Sequence, residues 1–451
     1  MSDLSLMPMT KRYRAYSSYK DSRVQWIKKI PESWSVKRLK SIAVLKVSNV
    51  DKKTIDGQYP VKLCNYVDVY YNENIDSTIE FMDATATIQQ ILKFQLMLED
   101  VLITKDSESP DDIAVSSVVV ENLPGVICGY HLALIRPKKE IIIGKFLAKA
   151  FGSIGFKEQF QVVASGITRF GLSIDAINTG IFPVPPLQEQ RAIIAFLENK
   201  CAKIDMLVQK KESIITLLRE KRSALIARAI TNGLDPKVKM KNSGVEWLGD
   251  IPQKWKVERS KRVFNERDDR SETGKEELMS VSHLTGVTPR SEKDVNMFEA
   301  KTTEGYKICY PDDLVINTLW AWMGAMGVSP MHGIVSPAYN VYSPDKEKLD
   351  PKYVDYLVRM PVFAQEVTRF SNGVWSSRLR LYPEGFFEIR IPVPPLDEQR
   401  AIVSHLKQET GKIDALIAKV QQGIDRFEEY RSALISAAVT GKIDVREESL
   451  N

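Results

Sequence analysis

The chain has 451 residues, too many for one compact domain and enough for two to four. Its 43% hydrophobic and 27% charged residues are those of an ordinary soluble protein, and a net charge of +5 permits nucleic-acid binding without requiring it. Four scattered cysteines (Cys64, Cys128, Cys201, Cys309) form no C-x-x-C pair, which argues against a zinc site or disulfide framework. That usage fits a reducing compartment. The N-terminus has no continuous apolar core of a leader, and no apolar run approaches the roughly 18 residues of a membrane span, so a cytoplasmic protein with no membrane contact is expected.

Taken in chain order, the first motif is Trp26, Ile30-Pro31, Trp34 and Val36, which returns 221 residues later as Trp247, Ile251-Pro252, Trp255 and Val257. Residues 40–180 then read as mixed α/β structure. Short β-rich runs at Val61–Val69, Asp100–Ile103, Ile113–Val120 and His131–Ile135 alternate with polar turns, and a helical pattern covers Gly144–Phe151. Asp111-Asp112, beside Pro110, reads as a turn, with metal ligation the minor alternative.

The second motif is Pro183-Val184-Pro185-Pro186-Leu187-Gln188-Glu189-Gln190-Arg191-Ala192-Ile193. Its prolines exclude a helix before them and favour an extended approach. From Gln188 no Pro or Gly occurs until Gly233. Ile194, Leu197, Cys201, Ile204, Val208, Ile215, Leu218, Leu225 and Ala229 alternate by three and four, a heptad seam interrupted by Lys211 and Arg222. The motif recurs 209 residues later, from Pro392 to Ile402, and the match continues without a gap through Ile413-Asp414 and Arg431–Ile435. The second seam runs Val403, Leu406, Ile413, Ile417, Val420, Ile424, Phe427, Leu434 and Ala438, broken by Thr410 and Arg431. Each helix spans roughly 40 residues, about 60 Å. Residues 260–390, with a helical pattern at Pro351–Val358, resemble 40–180 only faintly.

The expected fold is α+β: two mixed α/β domains separated by two long helices that form an antiparallel coiled coil with a pseudo-two-fold repeat. The boundaries are 1–182 and 236–391 for the domains, and 183–235 and 392–446 for the helical segments. The alternative is two amphipathic helices, each packed on its own domain. Arg222 and Arg431 either mark register or carry their charge out to solvent.

Catalytic signatures are missing from the sequence. There is no G-x-x-x-x-G-K-[ST] loop, no G-x-G-x-x-G turn after a strand and no H-E-x-x-H. Nor is there an Asp/Asn-Pro-Pro-aromatic motif or a compact acidic-Lys nuclease cluster. The four histidines are isolated. No catalytic residue, metal ligand or cofactor site is expected in this chain.

The two motif pairs, W-x3-I-P-x2-W and P-L-x-E-Q-R-A-I before a long helix, resemble those of the specificity subunits of type I restriction-modification enzymes over nearly the whole chain. That resemblance implies a non-catalytic subunit whose two variable blocks are target recognition domains. Each would read one half of a split, asymmetric site on double-stranded DNA, with the paired helices as the spacer. The half-sites would lie about 5–8 base pairs apart, within one and a half turns of duplex. Two methylation subunits would supply S-adenosylmethionine chemistry on adenine, and restriction subunits would add ATP- and Mg2+-dependent translocation and cleavage. The main rival is a coiled-coil scaffold holding two protein-binding domains, with no DNA target. A second is an enzyme with an unfamiliar site.

Base reading needs Arg, Lys, Asn or Gln in the groove, and phosphate contacts need cations, hydroxyls or amides. The stretch Ser165–Arg169 and its counterpart Asn372–Arg380 look like a DNA-facing loop of the family. Gly166, Thr168, Arg169, Trp375, Ser377, Arg378 and Arg380 are therefore the first candidates; the alternative is a solvated hairpin turn. Lys105 and Ser107, and in the second block Asn317 and Trp320, follow a D-[VL]-x-I run and form a second pair. Tyr130-His131 and Tyr339-Asn340 form a third, for which core packing is the competing explanation. Partner subunits are expected at the helix starts, on Gln188, Glu189, Arg191, Asp397, Glu398 and Arg400; the competing explanation is that these residues brace their own helices.

Overall fold

A computed structural model describes residues 13–293, 302–373 and 379–448. The chain divides into two compact units, residues 1–211 with 422–451, and residues 212–421. Each unit therefore holds one variable block together with part of each long helix.

In the first unit a five-stranded sheet has the order Ala43–Val47, Leu132–Pro137, Val101–Thr104, Ser116–Val119, Asn74–Ile75. All neighbours are antiparallel except the last pair, which is parallel. Val101, Ile103, Ala133 and Ile135 face one core beneath helix Gly144–Phe151, while Leu102, Leu132 and Leu134 face another. Burial on both faces explains why the strands are nearly continuous apolar runs. The second unit repeats the order with four strands: Phe264–Arg267, Asn340–Pro344, Leu314–Ile316, Met326–Val328. Two blocks that barely match in sequence thus share a topology.

The helical patterns at Gly144–Phe151 and Pro351–Val358 are helices with those bounds. The run Val61–Val69 is not one strand. It ends at Cys64, because the backbone N–H of Asn65 donates to Asp68 at 2.7 Å and starts helix Tyr66–Tyr71. Strand Ser116–Val119 likewise begins later than expected, after a 3-10 turn at Pro110–Asp112.

The long helices span Leu187–Asn232 and Leu396–Val439. Within each unit their segments run antiparallel. In the first, Arg431 Nε lies 3.2 Å from Asp205 and Lys211 Nζ sits 5.8 Å from the Phe427 ring centre. In the second, Arg222 Nε lies 3.0 Å from Asp414, and Leu225, Ala229 and Ile230 share a core with Ile402, Val403 and Leu406. The interrupting arginines are thus matched by aspartates of the facing helix. Lys211 keeps its ammonium over an aromatic face.

Each helix ends on the tryptophan motif of the block it packs against. Gly233 and Gly441 have φ of 75° and 72°, the left-handed geometry of a helix terminus. A Cβ on Gly441 would lie 2.4 Å from Pro31, and one on Gly233 would lie 3.2 Å from Trp255. The segment beyond Gly441 continues into the first unit, where the Asp444 N–H donates to Arg14 O at 2.7 Å and Val445 is buried.

Candidate nucleic-acid interface

In the first block, the three candidate segments meet at one end of the sheet. Lys105 follows strand Val101–Thr104, and its N–H donates to His131 O at 3.0 Å, just before the neighbouring strand begins. Asp106–Ser107 then pairs with Phe170–Gly171, and Leu172 N–H donates to Lys105 O at 3.0 Å. The intervening loop is closed by reciprocal bonds between Ser165 and Gly171 at 3.2 and 3.0 Å. It is tight enough to require glycine at 166, where a Cβ would stand 1.8 Å from Arg169 O. Thr168 and Arg169 are exposed at its tip.

The side chains divide by availability. Arg169 is exposed and makes no ion pair with another described residue. Lys105 Nζ lies 2.5 Å from Asp106, whose same oxygen lies 3.4 Å from His131 Nδ1. Ser107 is buried, with its hydroxyl 3.2 Å from Tyr66 OH. Tyr130 is half exposed and packs edge-on against His131 at 4.6 Å.

The second block repeats the junction. Asn317-Thr318 follow strand Leu314–Ile316, and Leu381 N–H donates to Thr318 O at 3.2 Å, as Leu172 does to Lys105. Asn372 and Arg380 exchange bonds at 2.9 and 3.0 Å, closing the counterpart of the 165–171 loop. Thr318 Oγ1 donates to Ala338 O at 2.6 Å, and Asn317 Nδ2 to Tyr339 OH at 3.0 Å. Burial raises the Tyr339 hydroxyl above its ordinary pKa of 10.0. Asn317 and Asn340 are buried, whereas Trp320 and Arg380 are exposed. Trp375, Ser377 and Arg378 lie outside the described residues.

Two groups were missed from sequence. Tyr66, Tyr70 and Tyr71 flank the first junction, Tyr66 stacked on Tyr70 at 5.6 Å and Tyr71 largely exposed. The tyrosine-rich run Tyr66–Tyr71 was the available signal. In the second block, buried Lys307 lies 3.2 Å from Asp268 and donates to Asn340 Oδ1 at 3.5 Å. Nothing in the local sequence marks that contact.

At the helix starts, the repeated motif turns partly inward. Gln190 donates to Pro185 O and Ile141 O, both at 2.9 Å, and accepts from Ile143 N–H at 2.9 Å. Gln399 does the same with Pro394 O (2.8 Å), Lys348 O (2.7 Å) and Asp350 N–H (2.8 Å). Each glutamine thereby ties the Pro-Pro turn to the segment before the domain helix. Glu189 is also interior, accepting the Trp34 Nε1 proton at 2.9 Å. Glu398 is half-buried, and Gln188, Arg191, Asp397 and Arg400 are exposed.

Residues 31–216 match the family model of the type I restriction modification DNA specificity domain. The putative type I restriction enzyme MjaX specificity subunit of Methanocaldococcus jannaschii is 23% identical over 428 residues, covering 93% of this chain and 96% of its own. The MjaVIII specificity subunit of the same organism is 23% identical over 443 residues, with 93% and 95% covered. A solved chain from a study of complex assembly and conformational transition in the type I R-M system superimposes with a TM-score of 0.65 at 17% identity, covering 91% of this chain and 98% of that one. It shows a common fold. The chain is thus similar, over nearly its whole length, to the specificity subunits of type I restriction enzymes.

Proposed function

We propose that this subunit recognises a bipartite, asymmetric DNA site and positions two methylation subunits, and with them restriction subunits, on it. Residues 1–182 and 236–391 are the two readers, and 183–235 and 392–446 the spacer segments. The observation that carries this reading is the repeated junction. The same three chain segments meet at the same end of the same strand order in both blocks, yet the side chains there differ. Two readers with one frame and different surfaces read different half-sites.

Arg169 and Thr168 in the first block, with Arg380, Ser377, Arg378 and Trp375 in the second, are the foremost DNA contacts. Tyr130, His131 and Trp320 flank them, while Lys105, held by Asp106, buried Ser107, Asn317, Asn340 and half-buried Tyr339 shape the loops from behind. Exposed Gln188, Arg191, Asp397 and Arg400 are the subunit contacts. S-adenosylmethionine, ATP and Mg2+ belong to the partners, and the complex works in the cytoplasm.

The test is to co-express the chain with its methylation subunits and map modified adenines across a genome. A split motif with unlike halves is expected. A palindrome, a continuous motif or no methylation would overturn the reading.

A further inference from the structure

Arg222 and Arg431 are equivalent residues of the repeated helix, as are Asp205 and Asp414, each 209 residues apart. Both arginines pair with the aspartate of the facing helix, Arg431 at 3.2 Å and Arg222 at 3.0 Å. There the equivalence stops. In the first unit Arg431 also donates through Nη2 to Oε1 of Glu73, a residue of the variable block. The other Glu73 oxygen accepts from Lys149 Nζ, on helix Gly144–Phe151, at 2.6 Å. One turn earlier on that helix, Lys145 reaches Glu198 of the first long helix at 2.7 Å. These groups line a cavity of about 280 Å3 between the recognition sheet and the two helices.

Glu73 is delivered by a feature peculiar to this block. It precedes Asn74–Ile75, the edge strand that pairs in parallel with Ser116–Val119. The four-stranded sheet of the second block has no counterpart to that strand among the described residues. There, Arg222 has no ion-pair partner other than Asp414 among the described residues. An isolated surface pair constrains little. A carboxylate shared by cations from two different elements in a partly enclosed seam fixes their relative placement.

We infer that Glu73 and Arg431 are positioning residues: they hold the first recognition domain in one orientation on its helix pair and so narrow the range of half-site gaps the protein accepts. This rests on the split-site reading above. The pair touches no DNA. Its loss therefore broadens the accepted gap instead of changing the recognised bases.

The experiment uses the assembled methyltransferase and duplexes in which the native gap is kept, shortened by one base pair or lengthened by one. Initial methylation rates are compared for wild type, Glu73→Ala, Arg431→Met, the double variant and Arg222→Met. In the two single variants the preference for the native gap is expected to fall about threefold to tenfold, and the double variant should fall no further, because one interaction is being removed. Arg222→Met should keep the wild-type preference. Retention of that preference by Glu73→Ala overturns the inference, as does an equal loss in Arg222→Met. If Arg431→Met fails to fold, Glu73→Ala decides alone, since that side chain is half exposed. A wild-type enzyme indifferent to the gap would instead sink the split-site reading.

Discussion

Arg169 and Lys105 sit at the same junction, yet their substitution should have opposite consequences. Arg169 projects from the tip of the 165–171 loop, exposed, and no described carboxylate neutralises it. Lys105 is spent internally: its side chain is 16% exposed and 2.5 Å from Asp106. A free guanidinium on a phosphate contributes about 0.9 to the slope of log affinity against log salt. If it also meets a base, its loss costs about 1–3 kcal/mol, roughly fivefold to a hundred-and-fiftyfold in affinity. Arg169→Ala should therefore weaken target binding by at least about fivefold and flatten the salt dependence by about one ion, with unfolding changed by no more than about 0.5 kcal/mol. Lys105→Ala removes a charge already balanced by Asp106, so it should leave the salt slope nearly intact. It strands a half-buried carboxylate with only His131 beside it, and should cost about 1–3 kcal/mol of stability. Binding of the assembled methyltransferase to its target, titrated between about 50 and 200 mM salt, gives the slopes. Urea unfolding gives the stabilities. Equal loss of binding in both variants, or a destabilised Arg169→Ala, would refute the assignment of Arg169 to DNA and Lys105 to the loop scaffold.

The duplicated tryptophans should respond unequally. Trp34 donates to buried Glu189, whereas Trp255 Nε1 is buried without a hydrogen-bond partner among the described residues. Glu189→Ala should cost about 2–4 kcal/mol and Glu398→Ala under about 1 kcal/mol, measured by hydrogen exchange in each unit; equal costs would contradict this. Asp100, almost fully buried, takes two bonds from Arg136 at 2.8 and 2.7 Å. Asp100→Ala leaves a guanidinium without its counter-charge and should destabilise the first unit by about 3–5 kcal/mol in denaturant unfolding, a loss under about 1 kcal/mol counting against it. Burial alone would raise the Glu73 carboxyl, but Lys149 and Arg431 more than offset it and hold it below its ordinary 4.5. The stability it contributes is then complete above pH 4.5 and lost as pH falls through the lowered value. The stability gap between wild type and Glu73→Ala should be flat above that pH and close below it, and a gap unchanged by acid would exclude the ionic role.

The sequence alone determined the duplication and the two long helices, because those features are written in repeat spacing and local period. Proline density excludes helix and holds the chain extended wherever it occurs, and a three-four alternation is amphipathic whatever it meets. The bounds of helices Gly144–Phe151 and Pro351–Val358 were legible for the same reason. The run Val61–Val69 was misread because a single Asn65–Asp68 contact overrides β propensity after Cys64.

What required tertiary structure was every relation between distant residues. Gln190 and Gln399 look like surface helix starters until the Pro-Pro turn folds back over them. Lys105 and Arg169 have like charges in sequence, and only the pairing of Asp106–Ser107 with Phe170–Gly171 shows which one is neutralised. Arg222 and Arg431 are identical in the repeat, and they part company only where an extra edge strand brings Glu73 within reach. Period sets which face of an element is apolar; partners are set by how the chain closes on itself, over a few residues for Gln190 and Pro185 and over 358 for Arg431 and Glu73, which no local pattern encodes.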